Sequence, residues 1–344
     1  MKSTPAALAG PVVALSVLIT VLVTAFAWPT ANLAPRDLPV GLVGPAPAVA
    51  QARAGLQSAG SAAIEPTVYP DRGAAVAAIE DRAIYGAIVL SANGSEVLTA
   101  SAASPAVAQA LGEVAHRLAA APGSPRTAAD THPPAATPDR PASATPVITD
   151  VVALPAADPR GAVFGLTLVP MVIGGLLTGI ALSLVAGSRA ARITAALAVA
   201  VLAGFAVTAV LHTWLEVLTG NYLAESGVVA LAVAAIALTL IGLRSAFGNP
   251  GLGVGAATLV ALGIPLSGAM SAPELLPSGW GTLGSLLPPG AAATALRSTA
   301  YFHGAGSATA FTVLSCWALA GLLLAALPRP LRLPRPAARD ARPA

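Results

Sequence analysis

The sequence predicts an α-helical polytopic membrane protein, with six transmembrane helices and a small extracytoplasmic α/β domain between helices 1 and 2. Three observations predict it. Of 344 residues, 56% are hydrophobic and only 10% charged. Soluble domains carry about 25% charged residues, so most of this chain is solvated by something other than water. Second, five stretches have the roughly 20 apolar residues needed to cross the hydrocarbon core: Ala6–Trp28, Gly161–Gly187, Ile193–Leu211, Ser226–Leu243 and Ser307–Leu327. A sixth, Gly251–Met270, is Gly-rich and contains Pro265 but carries no charge, and membrane helices tolerate both residue types. Third, short apolar runs alternate with helical patterns between the first and second stretches.

The first span, 6–28, ends near Ala25-Phe26-Ala27, which resembles a signal-peptide cleavage site. Its apolar run exceeds the 7–15 residues or so of a signal core and only Lys2 precedes it, which predicts an uncleaved anchor. Residues 29–160 then form the outer domain. Leu38–Val43, Ile64–Tyr69, Tyr85–Leu90 and Glu96–Ala102 read as strands; Pro47–Ala59 and Arg72–Ala83 read as helices. Asn93-Gly94 is a hairpin turn signal. Ser104 and Pro105 suit the N-cap and first position of a helix through about Ala120. Strands alternating with helices predict a mainly parallel sheet. Residues 123–146 are rich in Pro, Ala, Thr and Asp without an apolar period, hence a flexible linker. Val147–Leu154 returns to the domain as a last strand.

Residues 161–327 make a five-helix transmembrane domain, and 328–344 an Arg/Pro-rich cytoplasmic tail. Arginines near span ends orient the whole. Arg189, Arg192, Arg244 and the tail arginines lie on one side, while the loop with Glu216 and Glu225 has no basic residue. Both termini are therefore expected in the cytoplasm of a multi-pass cell-membrane protein. The eight arginines of 29–160 do not oppose this, because long domains translocate largely regardless of charge. Residues 271–306 are too broken by Pro and Gly to cross; with Trp280, Tyr301 and Phe302 they read as an outer re-entrant or interfacial segment, including a short helix Gly290–Thr299.

Several chemistries are excluded. Lys2 is the only lysine, so neither a P-loop nor a Schiff-base lysine is available. Cys316 is alone, and no basic patch with interleaved aromatics supports nucleic-acid binding. His116, His132, His212 and His303 are scattered, and Ser95, Ser101 and Ser104 lack a partnered His. No catalytic, cofactor or metal residue is therefore assigned, no cofactor is expected, and the chain is read as a non-enzyme. His212 and Glu216 could share a helix face as residues four apart; closing a helix end explains them as well. Glu225 and Glu274 read as loop or cap residues. No acidic residue falls inside any of the six stretches, which disfavours proton-coupled transport. Pro170 with Gly174 and Gly175 could flex the second span. The pairs Gly161/Gly165, Gly175/Gly179 and Gly251/Gly255 allow close helix approach.

One span, a large outer domain and five more spans is a layout that resembles the type-2 ABC transporter permeases, in particular the phage-infection-protein-like branch of actinobacterial membrane proteins. Pro265–Phe302 (PLSG…PELLPSGWGTLGSLLPPGA…LRSTAYF) looks like that superfamily's signature before the last span. The segments LPVGLVG, AIEDRAIYGAIVL and VLTASAASPAVAQAL, and Val151–Leu177 entering the second span, are similar too. The resemblance implies a permease subunit of an ABC-type exporter that moves a small or lipid-like substrate. It implies pairing as a homo- or heterodimer of permease chains, and a separate cytoplasmic P-loop ATPase as partner. The short cytoplasmic loop at Ser188–Arg192 keeps a rival in view: a non-transporting envelope receptor or scaffold acting through the outer domain.

Overall fold

The computed structural model describes residues 5–58, 64–91, 94–120, 147–185 and 187–327. The linker at 123–146, Asn93 of the turn signal and the tail 328–344 lie outside the described residues. Helix α1 (Pro5–Ala31) leads into the outer domain. There β1 (Leu38–Val43), α2 (Ala46–Ser58), β2 (Ile64–Tyr69), α3 (Arg72–Glu80), β3 (Gly86–Ser91), β4 (Gly94–Thr99), α4 (Pro105–Ala120) and β5 (Val147–Asp150) follow in order.

The five strands make one sheet in the order β2-β1-β3-β4-β5. Every neighbouring pair is parallel except β3 with β4. Period-two alternation assigns the faces. Leu38, Val40, Leu42, Ile88 and Val97 pack with Val107, Leu111 and Ala115 of α4. Val43, Ala87 and Leu98 turn to the other face, against Ala75 and Ile79 of α3. A central strand covered on both faces reads as an unbroken apolar run, and LPVGLV is one. Asp71 caps α3 by accepting from Ala74 N at 2.8 Å. Ser104 caps α4 through Val107 N, with Pro105 as first helical residue, as its sequence predicts.

Among the described residues, four helices are long and apolar enough to cross a membrane: Ala162–Leu184, Arg189–Trp214, Tyr222–Gly263 and Ala308–Ala326. They comprise α5 (Ala162–Leu184), α6 (Arg189–Thr208) with a π-helical extension to Trp214, α7 (Tyr222–Thr258) with a π-helical extension to Gly263, and α10 (Ala308–Ala326). Between α7 and α10 lie α8 (Trp280–Ser285) and α9 (Pro288–Tyr301). Ser188 and Asn221 cap α6 and α7 with their side chains, so both helices begin about a turn before the predicted apolar spans.

Helix α7 occupies the centre, and it is not straight. Gly248 has φ 70 and ψ −151, outside the helical region, in a conformation open to Gly. The chain reverses there. Gly251 faces Leu243, Gly255 faces Leu243 and Leu240, and Leu259 clusters with Ile236 and Leu240. Residues 222–247 and 249–263 are thus two antiparallel arms, the second about 22 Å long at 1.5 Å per residue. The predicted span Gly251–Met270 is helical only to Gly263, then passes through a 3₁₀ turn at Pro265–Ser267. The Pro265 ring and missing N–H end the regular ladder.

The small-residue pairs are consumed inside the chain. Gly175 and Gly179 of α5 lie against Ile236 and Leu240 of α7, and Gly165 lies against Met270. A Cβ on Gly242 of α7 would collide with the Gly321 carbonyl of α10, a close approach between glycines far apart in sequence. Helix α5 runs through Pro170 without a break.

The segment 271–306 enters the bundle from the end that carries the α/β domain. Residues 266–275 pack antiparallel to α8: Gly281 abuts the Pro273 backbone and Gly284 that of Leu266. At the tip, Trp317 Nε1, halfway along α10, donates to Leu286 O at 2.8 Å, and Pro289 packs on Gly263. Helix α9 then climbs back, its residues almost all buried, and Tyr301 donates to Val217 O at 2.9 Å in the connection between α6 and α7. Of the three aromatics expected at the interface, Trp280 packs against Trp28 in a tilted pair, ring centres 5.1 Å apart. Phe302 does not behave as expected: it is buried in the outer domain's core beside Ala75 and Ile79. The connection to α10 turns up into that domain, so the ring finds apolar side chains before it finds the interface.

Candidate functional site

The outer domain is joined to the bundle by polar contacts. Ala34 N donates to Leu275 O and Arg36 N to Glu274 O, both at 3.0 Å. Tyr85 Oη donates to Glu274 Oε2 at 2.7 Å. Arg82 Nη1 donates to Ser298 Oγ at 2.5 Å, and its guanidinium lies 5.3 Å from the centre of the Phe302 ring. Glu274 lies in a 3₁₀ turn of the connection, as a loop residue is expected to, and its side chain and backbone also dock the domain. The tight reversal at Asp81-Arg82-Ala83 holds Arg82 at φ 59, which aims its side chain away from the sheet and onto α9.

These contacts frame a cavity of about 580 Å³. Its walls come from the β1 entry (Arg36, Asp37), the α3–β3 turn (Arg82, Tyr85), the 273–285 hairpin (Glu274 among others) and α9 (Arg297). Arg297 is 4% exposed. It donates to Ala269 O at 2.6 Å and stacks over Phe164 at 5.0 Å. Arg36 donates to three carbonyls, those of Ala34, Leu275 and Asn32. Among the described residues, none of Arg36, Arg82 and Arg297 forms an ion pair. Three guanidiniums and two carboxylates, Asp37 and Glu274, therefore leave the cavity formally positive by one charge.

Burial shapes the ionisation of the outer-domain groups. It lowers the Arg82 pKa, an effect that nearby Tyr85 and Glu274 partly offset. Burial also raises the Tyr85 hydroxyl well above its usual range, and the adjacent Glu274 carboxylate raises it further. Tyr85 consequently stays a donor to Glu274 across the physiological range.

A second polar corner lies on the other flank of α9. His212 Nδ1 donates to Glu225 Oε2 at 2.7 Å, and Gly220 N donates to Glu225 Oε1 at 2.8 Å. Glu225 is fully buried, at 0% exposure. Two expectations are corrected here. The partner of His212 is Glu225, not Glu216: the π-helical turn ends at Trp214, and Glu216 has φ 53, off any helix face. Nor are all the membrane-length helices free of acids, because Glu225 sits in the first turn of α7. Asn221 starts that helix four residues before the apolar stretch, and so encloses the carboxylate.

The remaining candidates are brought to no common place. Ser101 Oγ and N both bind Asp150, which ties β4's end to β5. Ser104 caps α4, Ser95 lies in β4, and His116 and His303 have no shared partner. His132 lies outside the described residues. Among the described residues no group of three or more His, Cys, Asp or Glu is placed to hold a metal. No family model, curated protein or solved structure matches this chain.

Proposed function

We propose that this chain is a membrane permease subunit of an ABC-type exporter, moving a small or lipid-like substrate with energy from a separate ATPase chain. In this reading it crosses the cell membrane six times. The crossings are α1, α5, α6, the two arms of α7 and α10, with both termini in the cytoplasm. The re-entrant hairpin α8–α9 enters from outside. The observation that carries the proposal is the cavity at the outer end of the bundle. It is walled jointly by the outer domain and the re-entrant hairpin, so any shift of the domain on α9 alters access to it.

The surrounding apolar surface supports membrane residence. Leu166, Ile173, Leu177, Leu197, Leu202 and Phe205 are all exposed, as expected of residues facing lipid tails. The partners proposed are the bilayer, a second permease chain and a cytoplasmic P-loop ATPase. Because Gly175 and Gly179 are used within the chain, a dimer would form through another surface. Purification from native membranes tests the proposal: a co-purifying nucleotide-binding subunit and ATP-dependent efflux are expected. A preparation with neither overturns it.

A receptor or scaffold is the second reading. It is favoured by the brevity of the connection between α5 and α6, from Val185 to Ser188, which offers little surface to a motor. It expects a partner bound at the outer domain and no substrate accumulation on deletion.

A further inference from the structure

We infer that the junction cavity is a binding site for the phosphate-bearing head of an anionic amphiphile, gripped by Arg297, Arg82 and Arg36. The inference deepens the transport reading by naming the chemistry of what the junction holds. Binding can be measured without ATPase or flux, so the two can fail separately.

Charge is the first argument. A buried guanidinium is normally matched by a carboxylate, because its desolvation is otherwise uncompensated. Arg297 is 4% exposed, and its described contacts are a backbone carbonyl and an aromatic face. Arg82 is held by the Ser298 hydroxyl, the Thr294 carbonyl and the Phe302 ring, and Arg36 by carbonyls. Glu274, a carboxylate on the cavity wall, accepts from Tyr85. Three planar donor forks thus line one cavity with a formal surplus of one positive charge, and a singly charged phosphodiester matches both that charge and the bidentate geometry.

Place is the second argument. Gly281, Thr282 and Ser285 of α8 line the cavity, while Leu283 of the same helix and Leu286 at its C-cap are exposed, at 44% and 51%. Beside them Trp28 and Trp280 pair at 5.1 Å, the residue type that marks a membrane–water boundary. A head group in the cavity therefore has an apolar path for its tail past α8 and α1. A volume of about 580 Å³ suits such a head group, since ligand sites run from about 300 to 1,000 Å³.

The test uses the purified full chain in a neutral detergent, titrated with short-chain phosphatidylglycerol, short-chain phosphatidylcholine and inorganic phosphate. Phosphatidylglycerol is expected to bind at least about tenfold more tightly than phosphatidylcholine. Arg297→Gln should weaken it about tenfold or more, the loss of one charge-assisted contact. Arg297→Lys should weaken it less, and Arg53→Gln, at a separate surface, should leave it unchanged. If Arg297→Gln does not accumulate, Arg36→Gln serves, since its partners are all carbonyls. Phosphate that displaces the lipid with the same dependence on Arg297 supports the oxyanion chemistry and assigns the source to a soluble phosphate. Equal affinity for the two lipids, or phosphatidylglycerol affinity unchanged in both Arg297→Gln and Arg36→Gln, overturns the inference.

Discussion

Two ionisable side chains are buried at the end of the bundle that carries the α/β domain, Arg297 on α9 and Glu225 on α7, and the protein treats them differently. Glu225 is enclosed completely, and its two oxygens accept from His212 and from the Gly220 backbone. Arg297 is almost as deeply buried, yet its guanidinium meets a carbonyl, a ring and the wall of a cavity. A closed pair of the first kind serves architecture, since removing one partner strands the other away from water. An open charge of the second kind adds little to stability and leaves donors for something else to occupy. The contrast between the two corners separates a strut from a site.

The largest effect expected is at the closed corner. Glu225→Ala leaves His212 and Gly220 N–H without their acceptor and should lower stability by about 2 kcal/mol, read as thermal unfolding in detergent. A change within error would mean that Glu225 is no strut. Next comes the docking contact: Tyr85→Phe removes the donor to Glu274 and should cost about 1 kcal/mol. Faster hydrogen exchange along 271–285 would accompany it if the contact holds the outer domain down. At the open corner, Arg297→Met should change stability by less than about 1 kcal/mol, since an apolar side chain replaces an unpaired buried charge. A loss as large as that of Glu225→Ala would erase the distinction.

The smallest effect calibrates the others. In the outer domain Arg72 donates to both oxygens of Glu96 at 2.8 and 2.9 Å; Arg72 is exposed and Glu96 partly buried. Arg72→Ala should therefore cost about 0.5 kcal/mol. The bond from Arg72 is the largest reason that the Glu96 pKa lies below its usual value, ahead of the opposing effect of burial. A lowered folded-state pKa stabilises above the ordinary carboxylate value, about 4.3, and the gain is lost as pH falls through the folded value. The stability difference between wild type and Arg72→Ala should accordingly be constant near neutrality and close in acid.

The contrast also marks what the sequence could reveal. The apolar run LPVGLV and the helix start Ser104-Pro105 are local signals, so the outer domain's elements were legible. Apolar length made the four membrane-length helices legible, and Gly248-Asn249-Pro250 between two apolar stretches agrees with the fold-back. Both corners were hidden for one reason: their members meet only through tertiary structure. His212 finds Glu225 across a loop, past the nearer Glu216, because a π-helical turn ends the helix before residue 216. Arg36, Arg82 and Arg297 come from three separate elements, and nothing in their spacing announces a common cavity. Phe302 was misplaced because an aromatic at a span's edge looks the same whether a headgroup or a folded domain covers it.

Everything proposed for the open corner requires the outer domain and the α5–α6 connection to lie on opposite sides of a bilayer. Single cysteines at Arg53 and at Gly187, each in a Cys316→Ala background, test this with a membrane-impermeant maleimide on intact cells. The account predicts labelling of Arg53→Cys at once, and of Gly187→Cys only after permeabilisation. Labelling of both in intact cells, or of Gly187→Cys alone, would contradict it.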